Sequence, residues 1–172
     1  MLDALPDAAR LWLFATDRQP EAPAHDDALA NALADVRAWL PTWASHGRPV
    51  TAAADVLEGR VLAVGAVISP DEMNAGVSGC GIDAMQHAVE GALARHGLSL
   101  ADALAVTYRD GAGWRTAARP TFRQRVKAGE ATGATRILDL TPDTVGALRE
   151  RGLARPAGET WAARAFRIGA PA

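Results

Sequence analysis

The fold is decided by residues 50–68, which read VTAAADVLEGRVLAVGAVI. Two runs of apolar and β-branched residues, 50–57 and 60–68, flank the dipeptide Glu58-Gly59. A two-residue connection containing glycine between such runs is typical of a β-hairpin. We therefore predict two adjacent antiparallel strands here, and the elements on either side determine which sheet they join.

A strand and a helix are predicted upstream of this hairpin. Residues 11–15, LWLFA, form a short apolar run that indicates a buried strand. Residues 26–43 have apolar positions at helical spacing, which are Leu29, Leu33, Val36, Leu40 and Trp43. Pro41 cannot donate to the helical ladder, so we expect a kink or a new turn there before Gly47 closes the element.

Downstream, an acidic loop at 69–74 precedes a second predicted helix. Its apolar stripe consists of Ile82, Met85, Val89 and Leu93, and Gly97 ends it. Runs at 104–108 and 114–118 then indicate another hairpin. The resulting βαββαβ order is typical of a ferredoxin-like fold, with one antiparallel sheet and two helices on one face, which we assign to residues 8–118.

The last third predicts a C-terminal β/α extension. We expect a helix at 120–128, a strand at 136–140, and a helix that begins at Thr141 and stops at Gly152. Thr141 would cap that helix, with Pro142 at its first position. The tail contains Trp161 and Phe166, whose rings should dock on the core. The sequence thus predicts one α+β domain over 1–172, with residues 119–172 packed on the ferredoxin-like part.

Composition excludes several classes of protein. A chain of 172 residues with 49% hydrophobic and 22% charged residues is typical of one globular domain. Neither a signal peptide nor a membrane-spanning run of about 18 apolar residues is present, so we predict a cytoplasmic protein without membrane contact. The single cysteine excludes an internal disulfide and any metal site with several thiolates.

Charge is distributed unevenly along the chain. Residues 1–100 carry six arginines against thirteen acids, whereas 101–172 carry twelve basic residues against seven acids. The run from Arg115 to Lys127 contains no acidic residue and could bind phosphate. The alternative is that the basic half of the chain simply neutralises the acidic half. We do not expect nucleic-acid binding, and a homo-oligomer remains an open alternative.

One short motif could carry chemistry, the stretch GVSGCGID at 76–83. Free N–H groups at the start of a helix attract anions, and glycines let a ligand approach the backbone. The candidate ligand-binding residues are therefore Gly76, Ser78, Gly79, Cys80, Gly81 and Asp83. The structural alternative is a tight turn into the helix with an inert cysteine.

Cys80 also supports a hypothesis of catalysis. A thiolate is stabilised at a helix start, and Asp83 and His87, at positions i and i+4, could pair and act as acid and base beside it. His46 is a further candidate partner. Such pairs are more often exposed on a helix surface without a function. His46 and His96 are predicted in the last turns of their helices, where each could simply cap the helix end. Cys80 and His87 would lie about 10 Å apart, which excludes a shared metal, so no metal or cofactor is expected.

Nucleotide-hydrolysing and hydrolase motifs are missing. The only lysine, Lys127, lies in VKA, so no P-loop exists, and neither G-x-G-x-x-G nor G-x-S-x-G occurs.

Four features together resemble a known group of proteins. They are the early strand with Trp12, WASHG at 43–47, SGCGID at 78–83 and ETWAAR at 159–164. This combination resembles a family of small uncharacterised bacterial proteins, some of which carry the label ABC transporter ATPase. The missing P-loop lysine contradicts that label, so the resemblance implies no activity. It only adds support to Ser78, Cys80 and Asp83 as candidate site residues.

Three functional hypotheses follow from the sequence. The first is a non-catalytic or regulatory protein that binds a small, anionic ligand at the 76–83 loop. The second is a small cysteine-dependent enzyme with Cys80 as nucleophile and the nearby amides as an anion cradle. The third is a structural or interaction protein.

Overall fold

A computed structural model describes residues 1–17, 25–68, 76–111 and 113–169, with backbone only at residues 25 and 26. The strands in these ranges are β1 Arg10–Ala15, β2 Ala44–Ser45, β3 Arg48–Pro49, β4 Thr51–Leu57, β5 Val61–Val67, β6 Val106–Asp110, β7 Gly113–Ala117, β8 Arg136–Leu138 and β9 Ala154–Pro156. The α-helices are α1 His25–Trp39, α2 Gly79–Arg95, α3 Arg119–Lys127, α4 Val145–Arg151 and α5 Trp161–Phe166. The predicted loop at 69–74 lies outside the described residues.

The first sheet is antiparallel and has the order β1-β5-β4. The predicted hairpin at 50–68 is confirmed, but its connection has three residues rather than two, because Leu57 lies opposite Val61 and Arg60 belongs to the turn. Glu58 and Gly59 have φ values of 52° and 64°, a conformation that glycine adopts without strain. Residues 61–66 of the central strand are all buried, which explains why this strand has an unbroken apolar run.

Both long helices pack on one face of this sheet. Their apolar stripes join the sheet in one core that includes Leu29, Val36, Leu62, Met85 and Val89. The opposite face packs against the N-terminal segment and α4, through Leu2, Leu5, Leu11, Ala63 and Val145. The sheet is therefore a buried middle layer rather than a half-exposed one.

A second antiparallel sheet has the order β7-β6-β8-β9. Its core contains Tyr108 and Ile137, together with Phe122 from α3 and Phe166 from α5. The ring centres of Phe122 and Phe166 lie 5.0 Å apart. The predicted docking of the C-terminal tail is confirmed, because Phe166 is buried in this core.

The α+β class is confirmed, but the ferredoxin-like arrangement is not. That arrangement needs the strand after α2 to lie beside β1, whereas β6 pairs with β7 and β8 in the second sheet. The physical reason is burial, since Val106 and Tyr108 of β6 reach the core around Phe122 only in that sheet.

Two short segments border the outer edge of β1 in place of a fourth strand. Near one end, Asp17 N–H donates to the Ser99 carbonyl, and Ala101 N–H donates to the Ala15 carbonyl. Near the other end, Leu11 N–H donates to the carbonyl of Asp143. The edge is thus covered at both ends and interrupted between them.

The structure corrects one predicted helix start. The helix expected from Thr141 begins at Val145, and Thr144 caps it by accepting a hydrogen bond from Ala147 N–H. Thr141 cannot cap it because the Asp139 carboxylate accepts hydrogen bonds from both the N–H and the hydroxyl of Thr141. The predicted stop at Gly152 is confirmed by its φ of 70°.

The predicted division of the chain near residue 118 stays a prediction. The second sheet combines strands from both sides of that residue, since β6 and β7 precede it and β8 and β9 follow it. None of the helices in the described ranges is both long and apolar enough to cross a membrane.

Candidate functional site

Helix α2 begins where the sequence predicts, directly after Ser78. Ser78 is the N-cap, and Cys80 is the second residue of the helix. The prediction that Cys80 lies within two residues of a helix start is therefore confirmed. The stripe predicted for this helix is confirmed as well, because Met85, Val89 and Leu93 are buried.

Three polar backbone groups at the start of α2 have side-chain partners, which are the Ser78 N–H and the N–H and carbonyl of Gly81. Ser78 Oγ accepts a hydrogen bond from Gly81 N–H at 3.2 Å. The buried hydroxyl of Ser45 donates to Ser78 Oγ at 3.0 Å and accepts from Ser78 N–H at 2.9 Å. Trp43, which is 2% exposed, donates its indole N–H to the Gly81 carbonyl at 2.9 Å. These contacts fix the helix start without a ligand.

The glycines of the motif have different surroundings. A Cβ at Gly81 would lie 2.9 Å from Val77 Cγ1 and 3.4 Å from the Ser45 Cβ. At Gly76 and Gly79, a Cβ would meet nothing within 4 Å. Gly81 therefore allows close packing inside the protein, and only Gly76 and Gly79 leave open space for a ligand.

The three proposed catalytic residues lie on the exposed side of α2. Cys80, Asp83 and His87 are all exposed. The candidate carboxylate–imidazole pair is not seen: Nδ1 of His87 lies 2.7 Å from the backbone carbonyl oxygen of Asp83, and both side chains are exposed, in agreement with the alternative of an exposed pair without function. A carbonyl oxygen only accepts, so Nδ1 carries the proton of this hydrogen bond. Asp83 is the fifth residue of the helix, so its carboxylate lies beyond the first turn.

His46 does not lie in a last helical turn. Pro41 ends the regular helix, so α1 stops at Trp39 and a 3-10 turn follows at Leu40–Thr42. His46 and Gly47 then form the turn between β2 and β3, with φ values of 51° and 74°. His46 therefore has a turn position rather than a capping one.

His96 is the C-cap of α2, close to its predicted position, and it contacts a carboxylate. Its Nε2 lies 3.0 Å from Asp35 Oδ2, and Arg95 Nη2 lies 3.0 Å from the same oxygen. The hydrogen bonds from His96 and then Arg95 hold the pKa of Asp35 below its usual range. This cluster links α1 to the end of α2 and lies at the opposite end of that helix from Cys80.

A cavity of about 550 Å³ opens at the outer edge of β1, between the two sheets. Its apolar walls include Leu13, Phe14, Leu138, Leu140 and Trp161. Four polar side chains also line it, which are those of Asp102, Thr107, Arg119 and Thr141. Mostly apolar walls with a few polar groups are typical of small-molecule sites.

The cavity coincides with the interruption in the edge of β1. On its outward side, the Leu11 N–H donates to the Asp143 carbonyl, and the Ala15 carbonyl accepts from the Ala101 N–H. Strand residues two apart point their backbone groups the same way, so the N–H and C=O of Leu13 also point outward. Within the described residues, no protein group bonds them on that side. Leu13 therefore presents one donor and one acceptor to the cavity.

The polar side chains of the cavity differ in how far the protein satisfies them. The Thr141 hydroxyl donates to Asp139 at 2.7 Å, and Asp102 Oδ1 accepts from Leu104 N–H at 2.8 Å. The guanidinium of Arg119 lies 5.1 Å from the centre of the Trp161 ring. Among the described residues, no carboxylate lies within ion-pair distance of Arg119. Arg119 thus lines the cavity without an acidic partner among the described residues.

Sequence reasoning did not find this cavity. In the sequence, Arg119 belongs to a basic run, and Trp161 is expected only to dock on the core. One local signal could have marked Arg119, because a cation in the first turn of a helix is disfavoured by the helix dipole. The two sheets meet only in the tertiary structure, so the remaining walls had no signal in the sequence.

The described residues contain no group of three or more His, Cys, Asp or Glu side chains that could hold a metal ion. Compared with known proteins, the chain matches no family model, no curated protein and no solved structure. The resemblance to small bacterial proteins therefore stays a prediction.

Proposed function

We propose that this protein is a non-catalytic binding protein for a small molecule, which it holds in the cavity beside β1. The observation that carries this proposal is the cavity itself, which lies at an interrupted sheet edge and has in its wall Arg119, an arginine without an acidic partner among the described residues. A volume of about 550 Å³ lies within the usual range for small-ligand sites.

The cavity supports binding better than the predicted loop at 76–83 does. At that loop, Ser78 and Ser45 already bond the N–H groups of Gly81 and Ser78, and Gly81 packs against protein atoms. At the cavity, the backbone of Leu13 and the side chain of Arg119 have no comparable partners among the described residues. Free polar groups beside apolar walls favour a ligand at the cavity.

The test is a fragment screen read by amide chemical shifts. A library of small acids, amines and neutral aromatic compounds is added to ¹⁵N-labelled protein. We expect bound fragments to shift the amides of Leu13, Thr107 and Leu138. Ala103→Trp should abolish these shifts, because Ala103 lines the cavity and is exposed, so a larger side chain fills the space without entering the core.

The matched control is Ala94→Trp, which places the same side chain on the exposed surface of α2. It should bind fragments as the wild type does. Shifts confined to residues 76–83, or shifts that survive Ala103→Trp, would contradict the proposal and favour the loop.

A cysteine-dependent enzyme is the second candidate, and the exposure of Cys80 favours it. The test compares iodoacetamide labelling of the native protein with labelling of the urea-unfolded chain, with Cys80→Ser as the blank. An activated nucleophile labels faster in the native state than in the unfolded chain, whereas a merely accessible thiol labels at the same rate. We expect equal rates, and faster native labelling would support the enzyme instead.

A structural or interaction role, including self-association, is the remaining hypothesis from the sequence. It would gain support if no fragment entered the cavity and sedimentation showed a concentration-dependent oligomer. A monomer that binds fragments at the cavity would argue against it.

A further inference from the structure

We propose that the ligand is a short peptide-like acid, an N-acylated amino acid or a very short peptide, with one carboxylate and an apolar side chain. Its amide would pair with the backbone of Leu13, and its carboxylate would bind Arg119. This inference rests on the proposed function and names the chemical class of the ligand for the same cavity.

The backbone of Leu13 is the first reason. An open strand edge presents N–H and C=O groups that an added extended chain can pair with, and such pairing is a common way to bind peptides. The opening is short, because Ser99 and Ala101 bond the edge on one side and Asp143 bonds it on the other. The open stretch runs only from the Leu11 carbonyl to the Ala15 N–H among the described residues, so it matches an extended chain of very few residues.

Arg119 is the second reason. A guanidinium binds a carboxylate through two parallel hydrogen bonds, and contact with the Trp161 ring restricts the orientation of its plane. Asp102 lines the same cavity and would repel a second acidic group. The cavity is therefore complementary to a ligand with a single carboxylate rather than to a diacid or a phosphate of higher charge.

The apolar wall is the third reason. Leu140 lines the cavity and is 41% exposed, although large aliphatic side chains are usually buried. Leu13, Phe14 and Leu138 continue this apolar surface. A ligand side chain of the size of leucine would cover Leu140 and remove apolar surface from water.

The experiment uses four probes that share an isobutyl group. N-acetyl-leucine has both the amide and the carboxylate, N-acetyl-leucine methylamide lacks the carboxylate, 4-methylvalerate lacks the amide, and leucine has an ammonium in place of the amide. Affinities are measured by calorimetry on the full chain. We expect N-acetyl-leucine to bind tightest, and loss of either group to weaken binding about tenfold or more.

Arg119→Gln tests the carboxylate contact. It should reduce the affinity for N-acetyl-leucine to that of the methylamide, while the affinity for the methylamide stays unchanged. The matched control is Arg123→Gln, one turn along α3, where the guanidinium lies 5.9 Å from the Phe166 ring and does not line the cavity. Its affinities should equal those of the wild type.

Hydrogen exchange tests the backbone contact without a mutation. The Leu13 amide should exchange rapidly in the free protein and slow at least tenfold with N-acetyl-leucine. The Trp12 amide is the internal control, because strand alternation points it toward β5, opposite Val64, and it should be protected in both states.

The outcomes separate the two proposals. If 4-methylvalerate binds as tightly as N-acetyl-leucine and Leu13 gains no protection, the peptide-like class is wrong but the cavity still binds ligands. If none of the four probes binds, but library fragments bind the wild type and not Ala103→Trp, this inference fails and the proposed function stands. If neither probes nor fragments enter the cavity, both proposals fail.

Discussion

The start of helix α2 and the outer edge of strand β1 both carry backbone groups that regular secondary structure leaves without partners. At α2, Ser78 accepts from the Gly81 N–H, and Trp43 adds a second donor to the Gly81 carbonyl, which already accepts within the helix. At β1, the groups of Leu13 open on a cavity instead. Among the described residues, the protein thus satisfies part of the glycine-rich motif itself, whereas the backbone of Leu13 has no partner on the cavity side.

This difference teaches where a binding site is to be sought. A buried polar group without a partner costs free energy, so a protein normally satisfies its own groups, as it does around Ser45. Groups that stay open beside an apolar cavity are available to a ligand. We expect four sets of substitutions to test this contrast, and the most destabilising one is Trp43→Ala.

Trp43→Ala should give the largest effect. Trp43 is 2% exposed and holds the Gly81 carbonyl, so its removal should lower the free energy of unfolding by about 3–5 kcal/mol in urea titrations. Trp43→Phe keeps most of the apolar volume but loses the hydrogen bond, and should cost about 1–3 kcal/mol. A neutral Trp43→Phe would mean that the start of α2 is not closed by this contact.

Two glycine substitutions should have opposite signs. Gly81→Ala forces its Cβ to within 2.9 Å of Val77, so it should destabilise the protein by about 1–2 kcal/mol in thermal unfolding. Gly79→Ala meets no atom within 4 Å and lies in the helix, so it should stabilise by about 0.5 kcal/mol. Equal effects at both positions would remove the distinction between the packed and the open glycine.

The other end of α2 should show a pH-dependent effect. Hydrogen bonds from His96 and Arg95 lower the pKa of Asp35, so the folded state favours the carboxylate. The resulting stability is present above the unfolded-state pKa of about 3.9 and is lost as pH falls through the lower folded pKa. The Tm difference between wild type and Asp35→Asn should therefore be present at neutral pH and vanish in strong acid. A difference that does not change with pH would show that Asp35 acts without its charge.

Arg119→Gln should have the smallest effect on stability. Because Arg119 has no acidic partner among the described residues, its loss should change the free energy of unfolding by less than about 0.5 kcal/mol. Arg125→Gln is the comparison, since Arg125 lies 3.3 Å from Glu130 and over the Tyr108 ring, and its loss should cost more. A large loss of stability for Arg119→Gln would show that this arginine stabilises the fold rather than binding a ligand.

The sequence by itself determined most of the local structure. The hairpin around Gly59, the helix that begins after Ser78 and the helix end at Gly97 follow from periodicity and from residues that favour turns or caps. These signals are local, because they depend on neighbours within a few positions. They also placed Cys80 correctly at a helix start.

Only the tertiary structure decided which strands meet and where the open groups lie. β6 joins the second sheet because Tyr108 is buried against Phe122, a choice that depends on residues far along the chain. Its absence from the edge of β1 leaves Leu13 uncovered and brings Arg119 and Trp161 to the same cavity. Strand pairing is set by the burial of distant side chains, and for that reason local patterns indicated the elements but not the site.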